Sequence, residues 1–411
     1  MKRYLIIGSG PAGATATETL WKLDGKEDIT VISDEGYPYY RREHLARLIS
    51  GDKSEEELFE KGKDFYKKMG VNFVGGTVLK VSSEQNQVTL TDGRTLDYDS
   101  LLIATGGKPI VPPWRGIQLE GVSTFYNLDD ARRVTRLARK AKNVAVIGGG
   151  TIALKMIPHL RKIGINVSVV EKADRLWSET LDNKASKIIE ERLRREGTEL
   201  WFNEEVVELE GENARIKSVV LKNGQKLPCD LAIITVGIRP SIAFLEGSGV
   251  KTERGVLADQ YLRTSIPNIF AAGDVTQTFD PILSEPRLHP SWSYAEEQGE
   301  IVAHNMAGSE REVQGVINLF SMGVYDLDIV TAGVTRSDQS FEELSRLSFH
   351  ENVYRKFLLR ENKLIGALII GKNLNRSLLK QQIRQTILKN AELGAYKTDL
   401  LKEDFNFQSL L

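Results

Sequence analysis

The sequence predicts an α/β protein: two doubly wound βαβ units followed by a small C-terminal α+β unit. Three observations carry this. Within residues 4–35, a short apolar run enters a glycine turn, then a helix-compatible run, then a second apolar run ending in acid. The same order recurs from residue 143. From about Val316 a further run of strand and helix signals extends to the end.

The first unit opens with Tyr4-Leu5-Ile6-Ile7, a buried-strand signal. Gly8-Ser9-Gly10-Pro11-Ala12-Gly13 follows at once, then Ala14–Leu23 as helix and Ile29–Ile32 as strand, ending in Ser33-Asp34-Glu35. This is the dinucleotide-binding fingerprint of a Rossmann-like domain. Gly8 allows the tight turn. Gly10 has no Cβ, so backbone can approach a pyrophosphate. Gly13 lets helix and strand pack closely. The helix N-terminus offers unpaired N–H groups and partial positive charge to phosphates. Asp34 lies about 20 residues past Gly13, where a carboxylate accepts hydrogen bonds from an adenosine ribose; Glu35 is the neighbouring candidate.

Next comes an aromatic and cationic loop, Gly36–Arg47, running into an amphipathic stretch. Ser54–Lys68 reads as a charged helix with Leu58, Phe59, Phe65 and Met69 as its apolar side. Strand signals follow at 71–74 and 87–90, and Asp92-Gly93 turns the chain back as a hairpin. Ser100–Gly107 is a buried strand ending in a glycine turn, and Pro109, Pro112 and Pro113 mark a crossing segment. Leu128–Ala141 is a basic amphipathic helix.

The opening pattern then recurs: Asn143–Ile147 as strand, Gly148-Gly149-Gly150-Thr151-Ile152-Ala153 as turn, Leu154–Ile163 as helix, Val167–Val170 as strand ending in Glu171. Two such folds in one chain argue for two nucleotides held face to face. Leu181–Glu196 reads as helix, and strand signals follow at 200–202, 206–209 and 216–221. Cys229–Gly237 echoes the earlier strand and glycine turn, and Ile238-Arg239-Pro240 is the crossing back. TSIPNIFAAGDV, at 264–275, holds a strand ending in Gly273-Asp274; Ala295–Gly308 reads as helix. In the last unit, Tyr354–Leu359 and Leu364–Ile370 form a hairpin, and Leu374–Asn390 a helix. The expected domains are residues 1–116 with 239–315, residues 117–238, and residues 316–411.

Composition is that of an ordinary globular protein. Lys plus Arg is 55 and Asp plus Glu is 56, so neither nucleic acid nor an acidic membrane is indicated as partner. Apolar runs are of strand length, so no membrane span is expected. Met1-Lys2-Arg3 leads into a strand too short for a secretory h-region. A single cysteine, Cys229, fits a cytoplasmic location.

GSGPAG at 8–13, LLIATGG at 101–107, GGGTIA at 148–153 and TSIPNIFAAGDV stand in order and at the right spacing. Together, over about residues 1–308, they resemble the FAD- and NAD(P)H-dependent pyridine-nucleotide oxidoreductase family, whose fold is glutathione-reductase-like. Tyr40–Ala46 is similar to the Y-x-R-x-x-L-S segment of one branch. That branch holds NADH-rubredoxin reductases, the flavin portion of nitrite reductases, ferredoxin reductases and apoptosis-inducing factor. Residues 318–323 and the late hairpin look most like the rubredoxin and nitrite reductase members.

The resemblance implies roles. Gly8, Gly10, Pro11, Ala12 and Gly13 hold the FAD pyrophosphate, with Asp34 or Glu35 on its ribose. Arg42 pairs with FAD phosphate or ribose, and Arg47 stands beside the flavin; the alternative for both is a solvated helix start. Thr105 and Gly106 close over FAD as the chain leaves its domain, or are a simple strand end; Val78 and Ala104 are further cofactor-binding residues. Gly273 and Asp274 meet the ribityl chain, unless Asp274 is only an N-cap, and Val275 begins the next helix. Trp292 and Gln298 pack near flavin and nicotinamide, or in the core. His44 and His289 are read as structural. Gly148, Gly150, Thr151, Ile152, Glu171 and Gly237 form the NAD(P)H site. Glu171 ends its strand about 18 residues after Ala153, where it binds a 2′-hydroxyl and repels a 2′-phosphate. NADH is therefore preferred over NADPH, although Lys172 and Arg175 lie close enough to soften this. Relatives carry Glu where this chain has Lys155, and Pro158 falls early in the following helix, so the site is either modified or weakened.

Disulfide reductases of the family need a CxxxxC pair, and its NADH oxidases use one cysteine near the His44 region. Neither is present. The resemblance thus implies an FAD enzyme that takes hydride from NADH by ring stacking and passes electrons to rubredoxin, ferredoxin or a partner redox subunit. The alternatives are the flavin subunit of a larger complex with a weakened NAD site, or a flavin-binding redox sensor or scaffold. The third unit offers an interface for a homo-oligomer or complex.

Overall fold

The computed structural model describes residues 1–23, 25 and 28–410. The chain divides into two compact units. The first comprises Met1–Arg41, Glu55–Lys108 and Ile238–Ile317; the second comprises Arg42–Ser54, Pro109–Gly237 and Asn318–Leu411.

The first unit is built on a five-stranded sheet in the order Ile269–Ala271, Ser100–Ile103, Arg3–Ile7, Asp28–Ser33, Asn72–Gly75. Every pairing in it is parallel. Both faces are covered, which is why its strands read as continuous apolar runs. Tyr4, Ile6, Val31 and Leu102 face the helices Pro11–Leu23 and Trp292–Met306 through Ala12, Ala16, Leu20, Val302 and Ala303. Leu5, Ile7, Ile32 and Leu101 face a three-stranded antiparallel sheet through Val81, Val88 and Leu90. The two helices approach closely because their contact is small. A Cβ on Gly299 would lie 2.4 Å from the Ala12 carbonyl oxygen.

Two expectations fail in this unit. Ser54–Lys68 is not one helix. It contains a 3₁₀ turn, Glu56–Leu58, and a one-turn helix, Phe65–Lys68. Gly62, at φ +83°, reverses the chain between them. The apolar spacing that suggests a helix is met instead by burying Leu58, Phe59 and Phe65 from an irregular backbone. Nor does Val275 begin a helix. Gly273 turns the chain at φ +81°, and Thr276–Asp280 follows as a strand paired antiparallel to Glu285–Leu288. The buried run Thr276-Gln277-Thr278 suits a strand, and Gln277 accepts the Gly255 N–H at 2.7 Å. The next helix starts only at Trp292.

The second unit repeats the layout. Its sheet runs Thr198–Phe202, Asn166–Glu171, Asn143–Ile147, Leu231–Ile234, Val122–Thr124, again all parallel. The helix Thr151–Lys162 begins earlier than the expected Leu154, so Pro158 is interior rather than early. There it removes one backbone donor, and the helix continues through it. A second, antiparallel sheet runs Leu319–Val324, Leu327–Gly333, Lys363–Gly371, Val353–Arg360, Glu342–Ser348. The expected late hairpin is thus part of a larger sheet. The helix Arg376–Leu388 lies on it.

Candidate dinucleotide sites

Each unit carries one glycine turn, and the two are built alike. In the first, Gly8 sits at φ +115°, and a Cβ there would lie 2.2 Å from the Ala104 carbonyl oxygen. A Cβ on Gly13 would lie 1.9 Å from the Gly8 carbonyl oxygen. Gly10 is different: among the described residues, nothing beyond its own chain neighbours lies within 4 Å of its would-be Cβ. In the second, Gly148 sits at φ +103° with the Thr235 carbonyl oxygen 2.5 Å from a would-be Cβ. Gly150 again faces open space, and buried Ala153 fills the third place. The outer glycines are demanded by packing. The middle ones leave a gap in front of a helix N-terminus, whose first N–H groups lack intrahelical partners. Pro11 opens the first helix, where a missing N–H costs nothing. Such a gap fits a pyrophosphate.

Around the first turn, Asp34 is exposed, with Lys108 Nζ at 3.6 Å. Glu35 accepts from Tyr40 OH at 2.6 Å. The Ser9 hydroxyl and Tyr66 OH are 2.8 Å apart. Thr105 Oγ1 donates to Ser241 O at 2.9 Å, and Ser241 N–H returns a bond to Gly106 O at 3.0 Å. Gly273 N–H donates to buried Gln298 Oε1 at 2.7 Å, so Gln298 holds the turn that presents Asp274. With a strand rather than a helix after it, Asp274 is no N-cap. Trp292 Nε1 donates to Glu296 at 2.9 Å, and the Arg41 guanidinium lies 5.2 Å from its ring centroid. Val78 starts the strand Val78–Ser82. His289 Nε2 is 2.9 Å from buried Asp280 Oδ2, a contact internal to the hairpin region. Arg42 and Arg47 belong to the second unit. There Arg42 donates to Tyr126 O at 2.9 Å and lies over the Tyr126 ring, while Arg47 is exposed.

Around the second turn, Glu171 folds back on it. Gly149 N–H donates to Oε2 at 2.6 Å, and Ala173 N–H to Oε1 at 2.7 Å. Thr235 Oγ1 donates to Ile147 O and Gly148 O, both at 3.0 Å. Thr151 and Ile152 are the first helical residues. Gly237, at φ +125°, accepts the Ile110 N–H at 2.9 Å. Lys172 is paired with Glu205 at 2.8 Å, and Arg175 with Asp174 and the Leu181 carbonyl. Trp177 is a residue that sequence reasoning missed. Its N–H donates to Gly149 O at 3.0 Å, and its φ of +45° is one that no sequence signal announces. Cys229 is buried in the core of this unit, and burial pushes its thiol up to about 12.

Residues 2–299 match the model of the pyridine nucleotide-disulphide oxidoreductase family. The chain belongs to this family. Residues 317–387 of this pyridine nucleotide oxidoreductase also match the C-terminal domain of rubredoxin NAD+ reductase. A probable ferredoxin reductase of Castellaniella defragrans is 31% identical over 81% of this chain and 82% of its own. The assimilatory nitrate reductase electron transfer subunit of Bacillus subtilis is 26% identical over 98% of this chain and 51% of its own. The chain spans about half the length of the first curated relatives it matches. Among solved structures, a ferredoxin reductase from Rhodopseudomonas palustris superposes with TM-score 0.88 at 25% identity, over 100% of this chain and 99% of its own. The expected family and α/β architecture therefore stand.

Proposed function

We propose that the chain is an FAD-dependent reductase that accepts hydride from NADH and passes electrons singly to a separate electron-carrier protein. The observation that carries this is the pair of glycine turns, one per unit, each with a closed first position and an open middle one. The residues fit two dinucleotides. Gly8, Gly10 and Gly13 hold the FAD pyrophosphate, Asp34 or Glu35 the ribose, and Val78, Ala104, Thr105, Gly106 and Asp274 the remainder. Gly148, Gly150, Thr151, Ile152, Glu171 and Gly237 hold NADH. Bound flavin supplies the exchange between hydride and single electrons. In this reading the FAD-binding domain comprises 1–116 and 239–315, the NAD(P)H-binding domain 117–238, and a small C-terminal α+β domain 316–411. The match at 317–387 supports a rubredoxin- or ferredoxin-like acceptor.

Glu171 supports NADH over NADPH, because its carboxylate is fixed at the turn and would repel a 2′-phosphate. The cations Lys172 and Arg175 are engaged with Glu205 and Asp174. A second reading is an electron-transfer subunit of a larger redox complex. It is favoured by the alignment of 98% of the chain with a subunit of that description. Anaerobic titration of the yellow protein tests the first reading: NADH bleaches the flavin at stoichiometric amounts, and NADPH does so only in excess. A flavin that stays oxidised in excess NADH, yet is reduced by a co-purifying partner, selects the second.

A further inference from the structure

The second glycine turn is backed by an aromatic pair, and the pair carries a cation. Trp177, bonded to Gly149 O, meets Phe320 edge-on, with 5.2 Å between centroids and 75° between planes. The Lys155 ammonium lies over the Phe320 ring, 5.4 Å from its centroid. Such a ring face holds a cation electrostatically. Lys155 is one turn into the helix Thr151–Lys162, and helical side chains lean back toward the N-terminus. The cation is therefore fixed at the end of the helix that opens on the turn. Burial works against its charge; Glu43 favours it, and Arg376, itself 3.2 Å from Asp328, opposes it.

NADH oxidation changes the charge of one ring. The dihydronicotinamide is neutral, and loss of hydride to the flavin leaves a pyridinium cation. The nicotinamide is joined through one ribose to the pyrophosphate that this turn would hold, so a positive group fixed at the helix end acts on that difference, and partial burial limits its screening by salt. We infer that Lys155 makes the second nucleotide site discriminate by ring charge, holding the reduced dinucleotide more tightly than the oxidised one. The inference rests on the reading of this turn as the NADH site. It makes Lys155 a specificity residue, and it predicts weak inhibition by accumulated product.

Equilibrium binding to the flavin-loaded protein tests it, with three probes: NAD+, the redox-inactive neutral analogue 1,4,5,6-tetrahydro-NADH, and ADP-ribose, which has no nicotinamide. In the wild type, Kd for NAD+ exceeds that for the analogue by about tenfold or more, ~1.4 kcal/mol. Lys155→Met, which keeps the aliphatic stem on Phe320, brings the ratio near unity. Lys155→Glu inverts it, and Lys155→Arg preserves it. ADP-ribose binding stays constant throughout. A ratio unchanged in the Met and Glu variants, with ADP-ribose still bound, overturns the inference. So does a wild-type ratio near unity should either variant fail to fold. Wild-type protein that binds none of the three probes overturns the underlying site assignment instead.

Discussion

At the residue scale, the two kinds of glycine separate folding from binding. Gly13 has no room for a methyl group, since the Gly8 carbonyl oxygen would be 1.9 Å away. Gly13→Ala is expected to cost about 1–3 kcal/mol of stability by overpacking. Gly10 has room and carries no positive φ. Gly10→Ala therefore leaves the melting temperature of the flavin-free protein unchanged. It weakens FAD binding by about tenfold or more, because the new methyl occupies the gap left for phosphate. Thermal melts beside flavin titrations check both. Equal loss of stability in the two variants would show that the gap at Gly10 serves packing alone. Gly150→Ala should behave as Gly10→Ala does, with NADH as the ligand affected. Gly8, Gly13 and Gly148 were legible in the sequence because backbone packing there admits no Cβ, and Gly10 and Gly150 because they complete the spacing of the fingerprint. Trp177 was not, because its place depends on Phe320, far along the chain.

At the element scale, one buried cation ties a helix cap to the late sheet of the second unit. Asp182 caps the helix Asn183–Arg195 by accepting the Ala185 N–H at 3.0 Å. Its other oxygen accepts from Tyr354 OH at 2.7 Å and Lys356 Nζ at 3.0 Å. Lys356 is 3% exposed and also meets Glu343 at 3.4 Å. Burial works to raise the Asp182 pKa, but the Ala185, Tyr354 and Lys356 bonds outweigh it and hold the carboxyl below its ordinary value. A depressed folded value means stability that is fully present above the unfolded carboxylate range, near ~3.9, and lost as pH falls through the folded value. Lys356→Met is expected to cost toward the low end of about 3–5 kcal/mol, since both carboxylates keep some water. It also moves the acid loss of stability to higher pH. Denaturant melts between neutral and acid pH measure both effects. An unaltered acid profile would remove Lys356 from this account. The inner strands of both parallel sheets were legible because burial on two faces demands continuous apolar runs, whereas the short edge strand Val122–Thr124 carries no such run and was not. Ser54–Lys68 misled because an apolar spacing records burial, which a bent backbone with Gly62 at its bend also supplies. The strand after Val275 was hidden because Thr276-Gln277-Thr278 is polar yet buried.

At the scale of the whole molecule, the burial of the thiol decides what sulfur can do. The chain has one cysteine, and it is packed among Val219, Leu221 and Ala232 in the core of the second unit. Burial, with Asp230 adding to it, raises this thiol to about 12, so the nucleophilic thiolate is scarce at neutral pH. No second cysteine exists to form a pair with it. Under the reading proposed above, a flavin reduced by NADH would pass its electrons on without a dithiol relay between Cys229 and a second cysteine of this sequence. Cys229→Ala is expected to cost about 1 kcal/mol of stability, as ordinary small losses of core volume do. It should keep NADH-driven reduction of an artificial dye within about twofold of wild type. In the native wild-type protein a maleimide labels Cys229 slowly, and labelling accelerates only on unfolding. Loss of dye reduction in a Cys229→Ala protein that still binds flavin and melts normally would place a thiol in the electron path.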